Sequence, residues 1–353
     1  MTPLMHASIN GRVNCIRILF EQLAEAQVMA GDNHGSTPLM YASLLGHADC
    51  VRVLLQQHSD AQLAAAGRFR RTPLMWAALK GHAECVRQLL QQRAEAQLAA
   101  LTAGDSDGQT ALMHAVYDGH VGCVQMLLQQ DVKAQLTVRD NLGRTALMFA
   151  AGRGRASCMR LLLQQGAQVL VSDERGMTSL MYASINGHYD CTMMLLQQHA
   201  EAQLIVGNHH GRTPLMCALK SGRIDCIRVL LQQHADAQLA ARDRFERTPL
   251  MRVALKGHAE CVRQLLQHRA EAQLTAVAAD GSTALGCAAR KGFTQCVGIM
   301  LCAGADPYAV VTEGEKRVVR AAVADLCQEA TAPHKLQCVV VKLAELMSRR
   351  GTS

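Results

Sequence analysis

Apolar positions along residues 37–71 fall into two short helical patterns. Leu39, Met40, Ala42 and Ser43 share one face of a helix. Thr37 suits its N-cap, and Pro38 suits the first helical position, where a missing N–H costs nothing. Gly46 ends that helix, since glycine tolerates a left-handed turn. A second helix follows, with Cys50, Val51, Leu54 and Leu55 forming one apolar stripe. The segment from Asp60 to Arg71 returns the chain to the next threonine. Two such short helices cannot bury the stripe alone, so they must stack on neighbours of the same kind.

The pattern recurs along most of the chain. A Thr-Pro-Leu-Met segment or close variant begins at Thr2, Thr37, Thr72, Thr110, Thr145, Thr178, Thr213, Thr248 and Thr283. Nine residues after each threonine stands a glycine, and thirteen after it a cysteine, from Gly11 and Cys15 to Gly292 and Cys296. A second level of duplication lies above this one. Residues 2–100 align without gaps with residues 178–276, and the blocks Leu79 to Gln88 and Leu255 to Gln264 are identical.

These units resemble the ankyrin repeat. The family's Thr-Pro-Leu-His, Gly-His and Leu-Leu signals are matched by Thr37-Pro38-Leu39-Met40, Gly46-His47 and Leu54-Leu55. Its turn signal, Asp-x-x-Gly-x-Thr, is matched by Asp140 to Thr145 and Asp173 to Thr178. The Cys-bearing, Met-for-His form is similar to expanded ankyrin families of some unicellular parasites. The resemblance implies an all-α ankyrin-repeat solenoid of nine helix–turn–helix units, with hairpin-like loops, over residues 1–308. Residues 309–353 are expected to form a C-terminal helical cap or tail, with helices over Glu315 to Glu329 and Lys335 to Ser348 and a stripe of Val318, Val319, Ala322, Val323 and Leu326.

Departures from the family pattern carry their own expectations. Methionine replaces the family's histidine, so thioether packing is expected to replace local hydrogen bonds. The Thr145 to Met177 unit has the family's length and its Gly166-Ala167. The longer units lack that glycine, and their second helix is expected to run about one turn further, through residues such as Glu95-Ala96-Gln97. Arg70 and Glu246 replace turn glycines, and a different turn is expected there because side chains disfavour positive φ. The first unit keeps its apolar stripe and lacks an upstream hairpin. Either it frays, or the chain is a piece of a longer protein, the reading favoured here.

Composition adds bounds. Aromatic residues are 3% of the chain, so the core must be built from Leu, Met, Ala, Val and Cys. The net charge of +7 is mild for 353 residues and does not point to nucleic acid. No stretch of apolar residues is long enough for membrane insertion. Fourteen cysteines without a signal peptide suggest reduced thiols and a cytoplasmic location, with the nucleus as the alternative.

No catalytic motif is found, and neither a catalytic site, a cofactor, a metal nor a small-molecule substrate is expected. Cysteines at equivalent positions of stacked units stand about one helix diameter apart, roughly 8–10 Å, too far for a disulfide or a shared zinc. They read as small core residues. Histidines after the inter-helix glycines (His47, His82, His120, His188, His258) read as structural, as do His58, His199, His234 and His268, taken as ending second helices where a cation suits the dipole. Asp49, Glu84, Asp190, Asp225 and Glu260 read as a solvated face.

The resemblance implies that partner proteins are gripped by hairpin tips and exposed first-helix positions on a concave face. Carried onto this chain, the candidates are Leu44, Leu79, Tyr117, Ile185 and Leu255 on first helices, and Phe69, Arg71, Phe245 and Arg247 at tips. Each phenylalanine either presents an arginine-flanked interface aromatic or folds back onto its own hairpin. Tyr41, Trp76, Phe149 and Tyr182 share one register and read mainly as packing residues. The leading expectation is a non-catalytic scaffold or adaptor. The alternative is the regulatory or targeting region of a larger enzyme such as a protein kinase.

Overall fold

The structure is a computed structural model that describes residues 1–22, 30–56, 59–91, 100–268, 270–307, 309 and 313–328. The chain divides into two compact units, Met1–Glu174 and Arg175–Ser353. Each repeat threonine opens a first helix, and a second helix follows. In the first unit these pairs include Pro38–Leu45 with Ala48–Leu54, Pro73–Lys80 with Ala83–Leu90, and Ala111–Asp118 with Val121–Leu127. In the second they include Pro214–Lys220 with Ile224–Leu231 and Ala284–Lys291 with Thr294–Cys302. Within each unit first helices pack on first helices and second on second. The core is the seam between these layers, filled by Leu74, Met75, Ala77, Cys85 and Val86, all nearly inaccessible, and by most of their equivalents.

Threonine Oγ1 accepts the amide of the third helical residue, at 3.3 Å for Met75, Met113 and Met251. Such a cap contributes about 1 kcal/mol. Thr145 is an exception, its buried hydroxyl having no partner. The methionines do more than pack. Met5 and Met75 Sδ accept the backbone N–H of Thr2 and Thr72, at 3.4 and 3.5 Å, closing a capping box with a thioether as acceptor.

The glycine between the helices has two roles, seen at Gly81. Its φ is +76°, and a Cβ added there would lie 2.5 Å from Nδ1 of His120, which belongs to the next repeat. That histidine uses its other nitrogen, Nε2, to reach the carbonyl of Leu79 at 3.1 Å. The same link joins His47 to Ile9, His82 to Leu44 and His258 to Lys220, and Arg155 Nε takes it over at Tyr117. Four of these histidines are therefore structural cross-repeat ties.

Three expectations are corrected. First, the longer units do not extend their second helix. It ends near the paired leucines, and a separate short helix follows, as in Val132–Thr137, Ala200–Ile205 and Ala235–Ala240. Residues 95–97, for which the extension was expected, lie outside the described residues. The extra turn forms separately because a buried glutamine donates to the carbonyls that end the second helix. Gln135, Gln203 and Gln238 Nε2 reach the carbonyls of Leu127, Leu195 and Leu230, the first two at 2.7 Å and the last at 2.5 Å. Second, His199 and His234 do not end second helices. They precede the short helices, with φ of 48° and 46°. His58 lies outside the described residues. Third, Glu246 keeps the glycine turn, with φ of 58°, whereas the Arg70 loop does take a different turn, a short 3-10 segment in which Phe69 and Arg70 both have positive φ, 62° and 57°. At Glu246 the turn is over-determined: Asp243 Oδ1 accepts the amides of Phe245 and Arg247 at 2.9 and 3.1 Å, and its carbonyl accepts Glu246 N–H at 2.8 Å.

Helix Glu313–Gln328 packs on the Ala284–Lys291 and Thr294–Cys302 pair, burying Val319 and Ala322. Arg290 Nε donates to buried Glu315 at 3.0 Å. The helix expected over Lys335 to Ser348 lies outside the described residues.

Candidate partner-binding face

Five of the hairpin loops are organised by one side chain five residues ahead of the repeat threonine. Asp105 Oδ1 accepts the amides of Asp107 and Gln109, at 2.9 and 3.0 Å; Asp32, Asp140, Asn208 and Asp243 do the same in their own loops. Adjacent tips are tied by single main-chain bonds, such as Ser106 N–H to Phe69 O at 2.8 Å and Ala279 N–H to Phe245 O at 3.1 Å.

The second carboxylate oxygen faces the first helix. Tyr41 Oη donates to Asp32 at 2.5 Å, His114 Nε2 lies 2.9 Å from Asp105, and Arg252 Nη1 donates to Asp243 at 3.3 Å. Burial opposes the Asp105 carboxylate, but the Gln109 amide, Arg71 and His114 outweigh it and hold its pKa below the ordinary value. Burial, reinforced by Arg71, holds the His114 pKa below its ordinary value. Sequence reading missed these pairs. A signal existed: each partner lies nine residues after its aspartate, at 32/41, 105/114 and 243/252.

The tip candidates come together in pairs. Phe69 is 50% exposed, with the Arg68 and Arg71 guanidiniums 4.8 and 5.5 Å from its ring centre. Phe245 is 40% exposed, with Arg244 and Arg247 at 4.6 and 4.9 Å. Each ring thus stacks with its own hairpin's arginines and keeps a face open. Arg71 also covers Trp76 at 5.0 Å and donates to Asp105 at 3.2 Å. Leu44, Leu79, Tyr117, Ile185 and Leu255 are half-buried near the ends of first helices. Tyr117 packs edge-on against Phe149 at 6.1 Å, under the Arg153 guanidinium at 3.8 Å.

The cysteine ladder is core. From Cys50 to Cys296 its members are buried, while Cys15 is exposed. Burial pushes the Cys85 and Cys191 thiols up to about 12, so they are poor nucleophiles. Asp49, Glu84 and Glu260 pair in solvent with Arg52, Arg87 and Arg263.

A family model described as ankyrin repeats matches residues 1–65, 56–140, 132–204, 171–243 and 233–310. The chain is an ankyrin-repeat protein. Among solved structures it is similar to the crystal structure of the human ASB11 ankyrin repeat domain, with 26% identity and a TM-score of 0.55, covering 65% of this chain and 98% of that one. No curated protein matches it. Ankyrin repeats are generally protein–protein interaction modules, and their fold is typically non-catalytic. Among the described residues, no helix is long and apolar enough to cross a membrane.

Proposed function

We propose that this ankyrin protein is a scaffold or adaptor that holds partner proteins along its hairpin tips and first-helix ends. The observation that carries this reading is the exposed aromatic stacked with arginines at equivalent places of the duplicated block, Phe69 and Phe245. Aromatic and arginine side chains are the commonest sources of interface energy. Both stand on loops pinned by main-chain bonds to the next tip, so little ordering entropy opposes binding. Leu44, Leu79, Tyr117, Ile185 and Leu255 would extend the contact, with Arg71 and Arg247 framing the rings. A reducing compartment, cytoplasmic or nuclear, belongs to this reading; the cysteine content and the free thiols of the described residues support it.

The test is affinity capture from a cell extract by the full chain, by Phe69→Ala, by Phe245→Ala and by the double variant, with circular dichroism to verify the fold. Loss of specific partners from the folded variants supports the assignment. Unchanged capture by all three removes these tips from the binding face.

A further inference from the structure

The first unit shows how the hairpin aspartate neutralises an arginine. Asp140 receives Arg144 through Nε at 2.8 Å and Nη2 at 2.7 Å, and Arg144 then lies over Phe149. At the corresponding places of the second unit stand Asn208 and Arg212. Asn208 keeps the turn, its Oδ1 accepting the amides of His210 and Arg212 at 2.9 and 3.1 Å. Its other atom is an amide nitrogen that donates to Met177 Sδ at 3.3 Å. Arg212 therefore has no carboxylate below it, and its buried Nε has no acceptor.

One hairpin further on, the free oxygen of Asp243 is taken by Arg252, whose side chain is only 9% exposed. Arg247 is left with half-exposed Asp280 at 3.7 Å. The Nε atoms of Arg247 and Arg252 are likewise buried without acceptors, and the Nδ1 of His210 is buried without a hydrogen-bond partner. The next hairpin carries Ala278 where most others carry aspartate. These groups share one neighbourhood. Burial, then the charges of Arg212 and Arg247, hold the Arg252 pKa down, and Arg244 with Arg212 and Arg252 does the same to His210.

Buried N–H donors on charged groups are costly when unpaired. An oxyanion entering from solvent would satisfy several at once, and the guanidinium fork matches a carboxylate in shape and charge. A continuous nucleic-acid backbone fits less well, because Asp243, Glu246 and Asp280 interrupt the cations. A short peptide can place its carboxylates between them and rest an apolar residue on the open face of Phe245.

We propose that Arg212, Arg247 and Arg252 form a receptor for the carboxylates of a Glu- or Asp-rich segment of a partner protein. The proposal rests on the reading of this chain as a protein-binding module and adds the chemistry of what it binds.

The test is fluorescence anisotropy with the full chain and a short labelled peptide bearing a Glu-Glu-Glu tract beside a leucine. Its companions are the same peptide with Gln for Glu and a mixed-sequence single-stranded oligonucleotide. The Glu peptide binds about tenfold or more tightly than the Gln peptide if each guanidinium contact contributes as charge-assisted bonds do. Asn208→Asp installs the acceptor that Asp140 supplies to Arg144. It weakens the Glu peptide by about tenfold without lowering the melting temperature, and Arg212→Gln weakens it similarly. Arg87→Gln, in the solvent pair with Glu84, leaves binding unchanged.

Equal binding of the two peptides, an Asn208→Asp protein that binds as well as the wild type, or an oligonucleotide that outcompetes the peptide overturns the proposal. Failure of the Glu peptide while partner capture still depends on Phe69 and Phe245 overturns the acidic specificity alone. Failure of both removes the interaction face as well.

Discussion

Gly81→Ala tests the cross-repeat tie. At φ of +76° an alanine costs about 1–2 kcal/mol for its conformation alone. The added Cβ would also stand 2.5 Å from His120 Nδ1 and 2.7 Å from its Cε1, so the ring must turn away. That movement breaks the 3.1 Å bond from Nε2 to Leu79 O, a further loss of about 1 kcal/mol. Gly292 provides the internal reference. Its φ is +77°, but nothing lies within 4 Å of the Cβ it would gain, so Gly292→Ala shows the conformational cost by itself. Urea unfolding followed by circular dichroism should therefore rank Gly81→Ala below Gly292→Ala by about 1 kcal/mol or more. A double-mutant cycle sharpens the comparison. In a His120→Ala background there is no ring to displace, and Gly81→Ala should cost only what Gly292→Ala costs. Equal losses for the two glycines, or strict additivity of Gly81→Ala with His120→Ala, would refute the account of why glycine stands between the helices.

Three further outcomes follow from the same structure. Thr110→Ala should lower stability by about 1 kcal/mol through loss of its cap on Met113, whereas Thr145→Ala should cost little because that hydroxyl caps nothing; chemical denaturation of the two variants compares them directly. Folding holds the His114 pKa below 6.5, so the unfolded chain binds the extra proton first. Its contribution is complete above that pH and is lost as pH falls toward the folded value, with a slope of at most about 1.4 kcal/mol per pH unit, and His114→Tyr, which copies the Tyr41–Asp32 pair, should flatten this part of a stability–pH profile. The depressed Asp105 carboxylate acts in a lower window, its contribution present above 3.8 and fading as pH drops further. Iodoacetamide at mildly alkaline pH should label exposed Cys15 in the native protein and reach Cys85 and Cys191, raised to about 12, only on unfolding; mass spectrometry of the labelled peptides reads the outcome.

The helix pairs, their caps and the core face were legible in the chain itself, because each is a local matter. Thr-Pro starts a helix, Gly46 and its equivalents stop it, and the apolar spacing selects the face that is buried. The exposed aromatics of the hairpins could also be read, since their flanking arginines are sequence neighbours. What only the tertiary structure decided involves partners brought near by stacking or by a loop closing on itself. The carbonyl that His120 reaches belongs to the previous repeat, 41 residues back. The short third helix depends on Gln203 reaching the carbonyl of Leu195, 8 residues earlier, which no helix propensity encodes. Arg70 and Glu246 take a glycine's backbone angle because bonds within their loops and to the next tip offset the local strain. That residue 140 or 208 comes to lie beneath the arginine four residues on is decided by the closed hairpin, whose Oδ1 bonds to the loop amides leave the other side-chain atom, a carboxylate oxygen in Asp140 and an amide nitrogen in Asn208, to meet or miss it. Composition counts charges, but only the folded loop pairs them.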